Sequence, residues 1–66
     1  MTNEQKVRIK YPDADYKMQR MLGATFYVIV TEPYSSWVVG TSIGSLSKAW
    51  TDARKNIEAG KQLSRL

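Results

Sequence analysis

Two different periods run along this chain. From Ala24 to Glu32, ATFYVIVTE, β-branched and aromatic residues dominate, which predicts a strand. Alternation puts Phe26, Val28 and Val30 on one face and Tyr27, Ile29 and Thr31 on the other. Ser36 to Thr41, SWVVGT, predicts the next strand, with Trp37, Val39 and Thr41 sharing a face. Pro33 to Ser36 between them is turn-like and too short for a crossover, so the two strands form an antiparallel hairpin. Beyond Gly44 the period lengthens to about 3.6 residues. Leu46, Ala49, Trp50, Ala53, Ile57 and Gly60 then form one stripe of a helix, with Ser45 as its N-cap. Ala49, Ala53 and Gly60 are small and let a helix axis lie close to a sheet, while Trp50 and Ile57 fill the space between; Gly60 serves either to end the helix or to allow that contact.

The first third is less decided. Residues 1 to 10 are polar and read as loosely held. Val7, Ile9 and Tyr11 alternate with Arg8 and Lys10, which suits a strand, and the same stretch also suits a short helix capped by Thr2 or Asn3. Pro12 ends either element. Ala14 to Arg20 reads as a first strand turning at Met21, Leu22 and Gly23; a helix from Asp13 to Leu22 is the rival. The tail KQLSRL, residues 61–66, reads as frayed. The expectation is one domain over 1–66: a small α+β fold, with an antiparallel sheet of two or three strands and one C-terminal helix packed on one face.

Composition narrows the function more by exclusion than by assignment. A chain of 66 residues buries only roughly 60% of its unfolded surface, so its core is a thin layer between elements. It has no cysteine and no histidine. Ser-His and Cys-His nucleophile systems are therefore impossible, and a zinc site would need carboxylates alone. The lack of cysteine fits a reducing cytoplasm. No apolar run approaches the ~20 residues of a membrane span, and MTNEQKVRIK does not read as a signal peptide.

Asp13 and Asp15 form a DAD pair that an extended chain would aim to one side, as for Mg²⁺, but aspartates after a proline more often cap turn amides. GTSIG lacks the lysine of a phosphate-cradling loop and reads as a strand-to-helix turn. No apolar wall surrounds the acids to tune them for proton transfer. The expectation is a non-enzyme without metal or cofactor.

The net charge of +4 is permissive of anionic partners. On the helix, Lys48 lies four residues before Asp52 and Arg54 four before Glu58, while Asp52 precedes Lys55, and Glu58 precedes Lys61, by three. Such pairs contribute about 0.2–0.5 kcal/mol each and dilute any single-sign face. Lys48, Arg54, Lys55 and Lys61, with Lys17 and Arg20, are nonetheless the candidate phosphate contacts.

KYPDADYKM, FYVIV, WVVGTS and SLSKAWTDARKNI together resemble small proteins of tailed bacteriophages and prophages. The matching residues are Tyr11 to Ala14, Phe26 to Val28, Gly40, and Ala49, Trp50 and Ala53, within residues 10 to 57. Leu46 stands where such proteins often carry proline. The resemblance implies a phage-like origin and a bacterial host cytoplasm, not an activity. The strand–strand–strand–helix order is also similar to double-stranded-RNA-binding domains, whose last helix starts near a Gly, Ser and Lys cluster echoed by Gly44 to Lys48, and to HicB-type antitoxin domains. Both are likenesses of fold.

The helix covers one sheet face, and the aromatics are many for the chain's size. With Phe26, Val28 and Val30 expected under the helix, Tyr27 and Ile29 are expected on the free face, with Trp37 on either. Tyr27, Ile29, Tyr34 and Trp37 are thus the candidate protein-binding residues. The expected role is a phage-type accessory protein that binds a bacterial macromolecule, occluding a host or defence protein. The alternative is a small module for double-stranded RNA or DNA. Pairing of two copies through the open face or a strand edge is a further expectation.

Overall fold

The computed structural model describes residues 1–31, 37–62 and 64–65, the last two by backbone only. Two helices and an antiparallel sheet follow one another as α1 (Asn3–Lys10), β1 (Asp15–Met21), β2 (Ala24–Thr31), β3 (Trp37–Ile43), α2 (Leu46–Glu58) and the two-residue β4 (Ser64–Arg65). The sheet order is β1-β2-β3-β4. This is the expected small α+β fold, with an N-terminal helix added.

The N-terminal ten residues are not loose. Thr2 caps α1 through a reciprocal box: its hydroxyl accepts from the Gln5 amide at 3.2 Å, and its own amide donates to Gln5 Oε1 at 2.8 Å. The helix buries Val7 and leaves Ile9 in solvent, so their alternation with Arg8 and Lys10 was no strand signal. Arg8 lies over the Trp50 ring, 5.3 Å from its centroid, and pairs with Glu4 at 3.1 Å. Asn3 donates to Thr51 Oγ1 at 2.8 Å. Through these contacts α1 packs beside α2 on the same side of the sheet.

The β1–β2 hairpin closes on a two-residue turn, Leu22 and Gly23, flanked by the opposed pair Met21 and Ala24. Both turn residues have positive φ, 51° and 79°. That is the pattern of a type I′ turn, which favours Asn-Gly. A leucine there carries the left-handed penalty, and it gains no burial in return.

β2 and β3 pair with a shift after Ile29. Ile29 opposes Gly40, whereas Val30 opposes Val38, so Val39 is the extra residue of a bulge. The bulge sends Val39 into the helix-side core and returns Gly40 to the same side. There Gly40 meets α2 backbone to backbone: a Cβ on it would fall 2.5 Å from the Ala53 nitrogen and 2.9 Å from the Ala49 carbonyl oxygen. The core cluster is Val7, Ala14, Ile29, Val39, Ala49, Trp50 and Ala53, with Tyr11, Tyr27, Leu46 and Ile57 packed against it. Opposed residues share a face, so the helix side carries Tyr27, Ile29 and Thr31. The expected arrangement, with Phe26, Val28 and Val30 under the helix, is reversed, and Trp37, Val39 and Thr41 do not share a face.

Ser45 caps α2 as expected, its hydroxyl accepting from the Lys48 amide at 3.4 Å. The stripe ends one turn early. Gly60, φ 70°, is exposed beyond the helix, where the Lys61 amide donates to the Asn56 carbonyl and the Gly60 amide to that of Ile57. These two bonds make a Schellman stop, a job for glycine at this position. Farther along, Ser64 and Arg65 pair with Val38 and Trp37.

Gly40→Ala is expected to destabilise the fold toward the upper end of the ~1–3 kcal/mol of overpacking, because the atoms struck are backbone. Trp50→Ala is expected to cost about 3–5 kcal/mol, enough to unfold a domain of this size. Leu22→Asn is expected to raise stability by about 1 kcal/mol by relieving the turn. Urea titrations followed by circular dichroism read all three.

Candidate interaction surface

The side of the sheet away from both helices carries Phe26, Val28, Val30, Val38, Thr41 and Ile43, with Lys17 and Gln19 from β1. Phe26 and Val28 are half-buried and Ile43 is 65% exposed. Val30, at the other end of the strand, is buried, so the accessible apolar patch is the Phe26–Val28–Ile43 end. Two shallow hollows flank its central ridge. One, of about 250 Å³, is lined by Lys17, Met18, Gln19, Phe26 and Val28. The other, of about 350 Å³, lies between β2 and β3 around Phe26, Val28, Thr41 and Ile43. Both hollows have apolar walls, with Lys17, Gln19 and Thr41 at their polar rim.

Three of the expected contact residues, Tyr27, Ile29 and Trp37, lie on the other side of the sheet. Ile29 is 0% exposed and cannot touch a partner. Tyr27 is half-buried and packs on the core beneath the helices. Trp37 is half-buried and opposes Thr31, which places it on the helix side as well. Tyr34, with the whole turn-like segment Pro33 to Ser36, lies outside the described residues. The apolar residues accessible on the bare side are instead Phe26, Val28 and Ile43. The signal that could have found them is Gly40: a glycine inside a strand marks close backbone approach, so the residue opposite it, Ile29, had to face the helix.

The cations separate into engaged and free. Arg54 is half-buried and donates to Glu58 Oε1 at 2.6 Å, so it is not free to meet a phosphate. Asp52 forms no ion pair with Lys48 or Lys55 among the described residues. Instead its Oδ2 accepts from the Thr41 amide at 3.0 Å. Lys48, Lys55 and Lys61 are exposed. Lys48 and Lys55 are two turns apart on one line of α2, about 10 Å along its axis. Lys61 borders a separate groove of about 340 Å³ between α2 and β3, with Asp52, Asn56 and Gln62. On β1, Lys17 and Arg20 point to opposite sides of the sheet. The basic residues therefore do not converge on one surface.

Among the described residues the acids likewise stand apart. Asp15 Oδ1 accepts from the Tyr16 amide at 2.8 Å and lies 3.8 Å from Arg8. Among the described residues no group of three or more acids could hold a metal ion, and no helix is long and apolar enough to cross a membrane.

The outer edge of β3 is closed by α2. Asp52 takes the Thr41 amide, and Asn56 Nδ2 donates to the Val39 carbonyl at 2.8 Å. β4 pairs with Trp37 and Val38 at the start of the same strand. These contacts leave the sheet with one closed edge and one open edge, β1. No family model, curated protein or solved structure matches the chain.

Asn56→Ala is expected to cost about 1–2 kcal/mol by leaving the bulge carbonyl without its donor. Asp52→Ala is expected to speed exchange of the Thr41 amide selectively, read by hydrogen exchange followed by NMR.

Proposed function

We propose that this chain acts by binding, docking a bacterial macromolecule against the bare side of its sheet. One observation carries the reading: Phe26, Val28 and Ile43 stay accessible on the side opposite both helices, although a core of this size has few large apolar residues to spare. Leaving them partly in solvent forgoes a share of the roughly 1.5–3 kcal/mol that full burial of such a side chain is worth, a share that a partner covering the patch would recover. The residue types support binding over catalysis, since the chain contains neither histidine nor cysteine. The likeness of its motifs to tailed-phage proteins supports a bacterial host cytoplasm as the setting and occlusion of a host or defence protein as the mode of action. The contact residues proposed are Phe26, Val28 and Ile43, with Lys17, Gln19 and Thr41 at the rim, in place of Tyr27 and Ile29.

A second reading, contact with duplex RNA or DNA, is favoured by Lys48, Lys55 and Lys61, which are exposed and without an ion pair among the described residues. It uses the outer side of α2 and its C-terminal end rather than the sheet.

A photo-crosslinking residue placed at Thr41 is expected to give a discrete protein adduct in bacterial lysate, while one at Lys55 gives none. Ile43→Asp is expected to leave the fold intact and to weaken capture at least tenfold, about 1.4 kcal/mol. Adducts from Lys55 alone, or a gel shift of duplex nucleic acid that falls steeply with salt and is lost in Lys48→Ala and Lys55→Ala variants, would replace this reading with the second.

A further inference from the structure

We infer that β1 is a pairing edge for a second copy of this chain, joining two sheets antiparallel about a two-fold axis through Met18. This goes beyond the docking proposal and is independent of it, because it uses the strand edge and leaves the Phe26–Val28–Ile43 patch free.

β1 is the least covered element of the fold. All seven of its residues are exposed, and its only substantial neighbour among the described elements is β2. α2 lies over β2 and β3, and α1 meets β1 only at its first residue, where Arg8 is 3.8 Å from Asp15 among the described residues. Tyr16 and Met18, which point to the helix side, consequently remain 47% and 62% exposed. The strand has no proline and no bulge to blunt its edge, and its one charge on the helix side, Arg20, sits at its end beside Met21. The opposite edge is managed with some care, by Asp52, Asn56 and β4.

The hairpin turn fixes which backbone groups of β1 are free. Met21 and Ala24 flank a two-residue turn and so form a hydrogen-bonded pair. Alternation makes Gln19, Lys17 and Asp15 the other residues bonded to β2. The amides and carbonyls of Tyr16, Met18 and Arg20 therefore point outward. The Tyr16 amide shows this directly, since it bonds the Asp15 carboxylate rather than β2.

Only one antiparallel register uses all three free residues. It sets Met18 opposite Met18 of the second copy, and Tyr16 opposite Arg20 at both ends. On the helix side the two thioethers then meet, and each tyrosine ring lies beside a guanidinium. On the other side Lys17 faces Gln19, and Asp15 faces Met21. No like charges oppose one another. Sliding by one residue per strand toward the N-terminus puts Lys17 against Lys17, and sliding the other way leaves Tyr16 unpaired. The contact is isologous and closes at two copies. Pairing starts at Met18, and Asp15 releases the Tyr16 amide as the ends zip.

Sedimentation of the intact chain from low-micromolar to near-millimolar concentration tests this. The mass is expected to rise from one copy toward two. Met18→Lys, which sets two lysines across the axis, is expected to weaken association at least tenfold with an unchanged far-ultraviolet spectrum. Register is read with cysteine, which the chain otherwise lacks. Opposed Cα atoms about 5.5 Å apart suit a disulfide, so Met18→Cys is expected to link two copies under mild oxidation and Lys17→Cys is not. A single-copy mass at every concentration, an undiminished dimer in Met18→Lys, or Lys17→Cys linking as readily as Met18→Cys would overturn the inference.

Discussion

The fold depends on one close approach, the backbone of Gly40 against the backbone of α2 at Ala49 and Ala53. With a Cβ position only 2.5 Å from a helix nitrogen, no other residue fits there without moving the helix or the strand. Three choices of sequence meet at this contact. Glycine removes the side chain from the strand, alanines remove it from the helix, and the bulge at Val39 turns Gly40 toward the helix. Trp50 and Ile57, on the same stripe, reach out to either side of the contact. A small chain builds its core here by bringing two backbones together and letting a few large side chains seal the flanks.

That contact also decides where the two edges of the sheet stand. A helix lying close over β3 brings Asp52 and Asn56 within reach of the strand's outer amide and carbonyl groups. Their side chains do there what another strand would do. The same placement leaves β1 beyond α2, held by its hairpin with β2 and, at its first residue, by the Arg8–Asp15 pair. The asymmetry is one of geometry: one helix of thirteen residues cannot cover three strands, and it covers the strand that has the glycine.

Which face of the sheet is left bare has the same origin. β2 is apolar on both faces, so its own composition does not say which face is inside. Tyr27 and Ile29 seemed free only because Phe26, Val28 and Val30 were assigned to the helix. Register reverses this. Ile29 opposes Gly40, Gly40 must face α2, and Phe26 and Val28 are therefore left outside. Arg54 and Asp52 illustrate the same point for charge. Spacing along the helix allowed several ion pairs; Arg54 took Glu58, whereas Asp52 turned to a backbone amide that only the tertiary fold could offer.

By itself the sequence determined what is local. The strand Ala24–Thr31, the N-cap at Ser45 and the stripe Leu46, Ala49, Trp50, Ala53 and Ile57 follow from periodicity and capping chemistry that act within a few residues. The absence of histidine and cysteine likewise excludes whole classes of chemistry without reference to shape. Tertiary structure alone decided what lies between elements: that α1, a helix its own Thr2–Gln5 box already caps, packs on α2 through Val7 and through Arg8 over Trp50; and which face of β2 is covered. Those outcomes turn on register and on a one-residue bulge. A shift of one position in a strand exchanges every inward side chain for its outward neighbour, and local propensity is blind to that exchange.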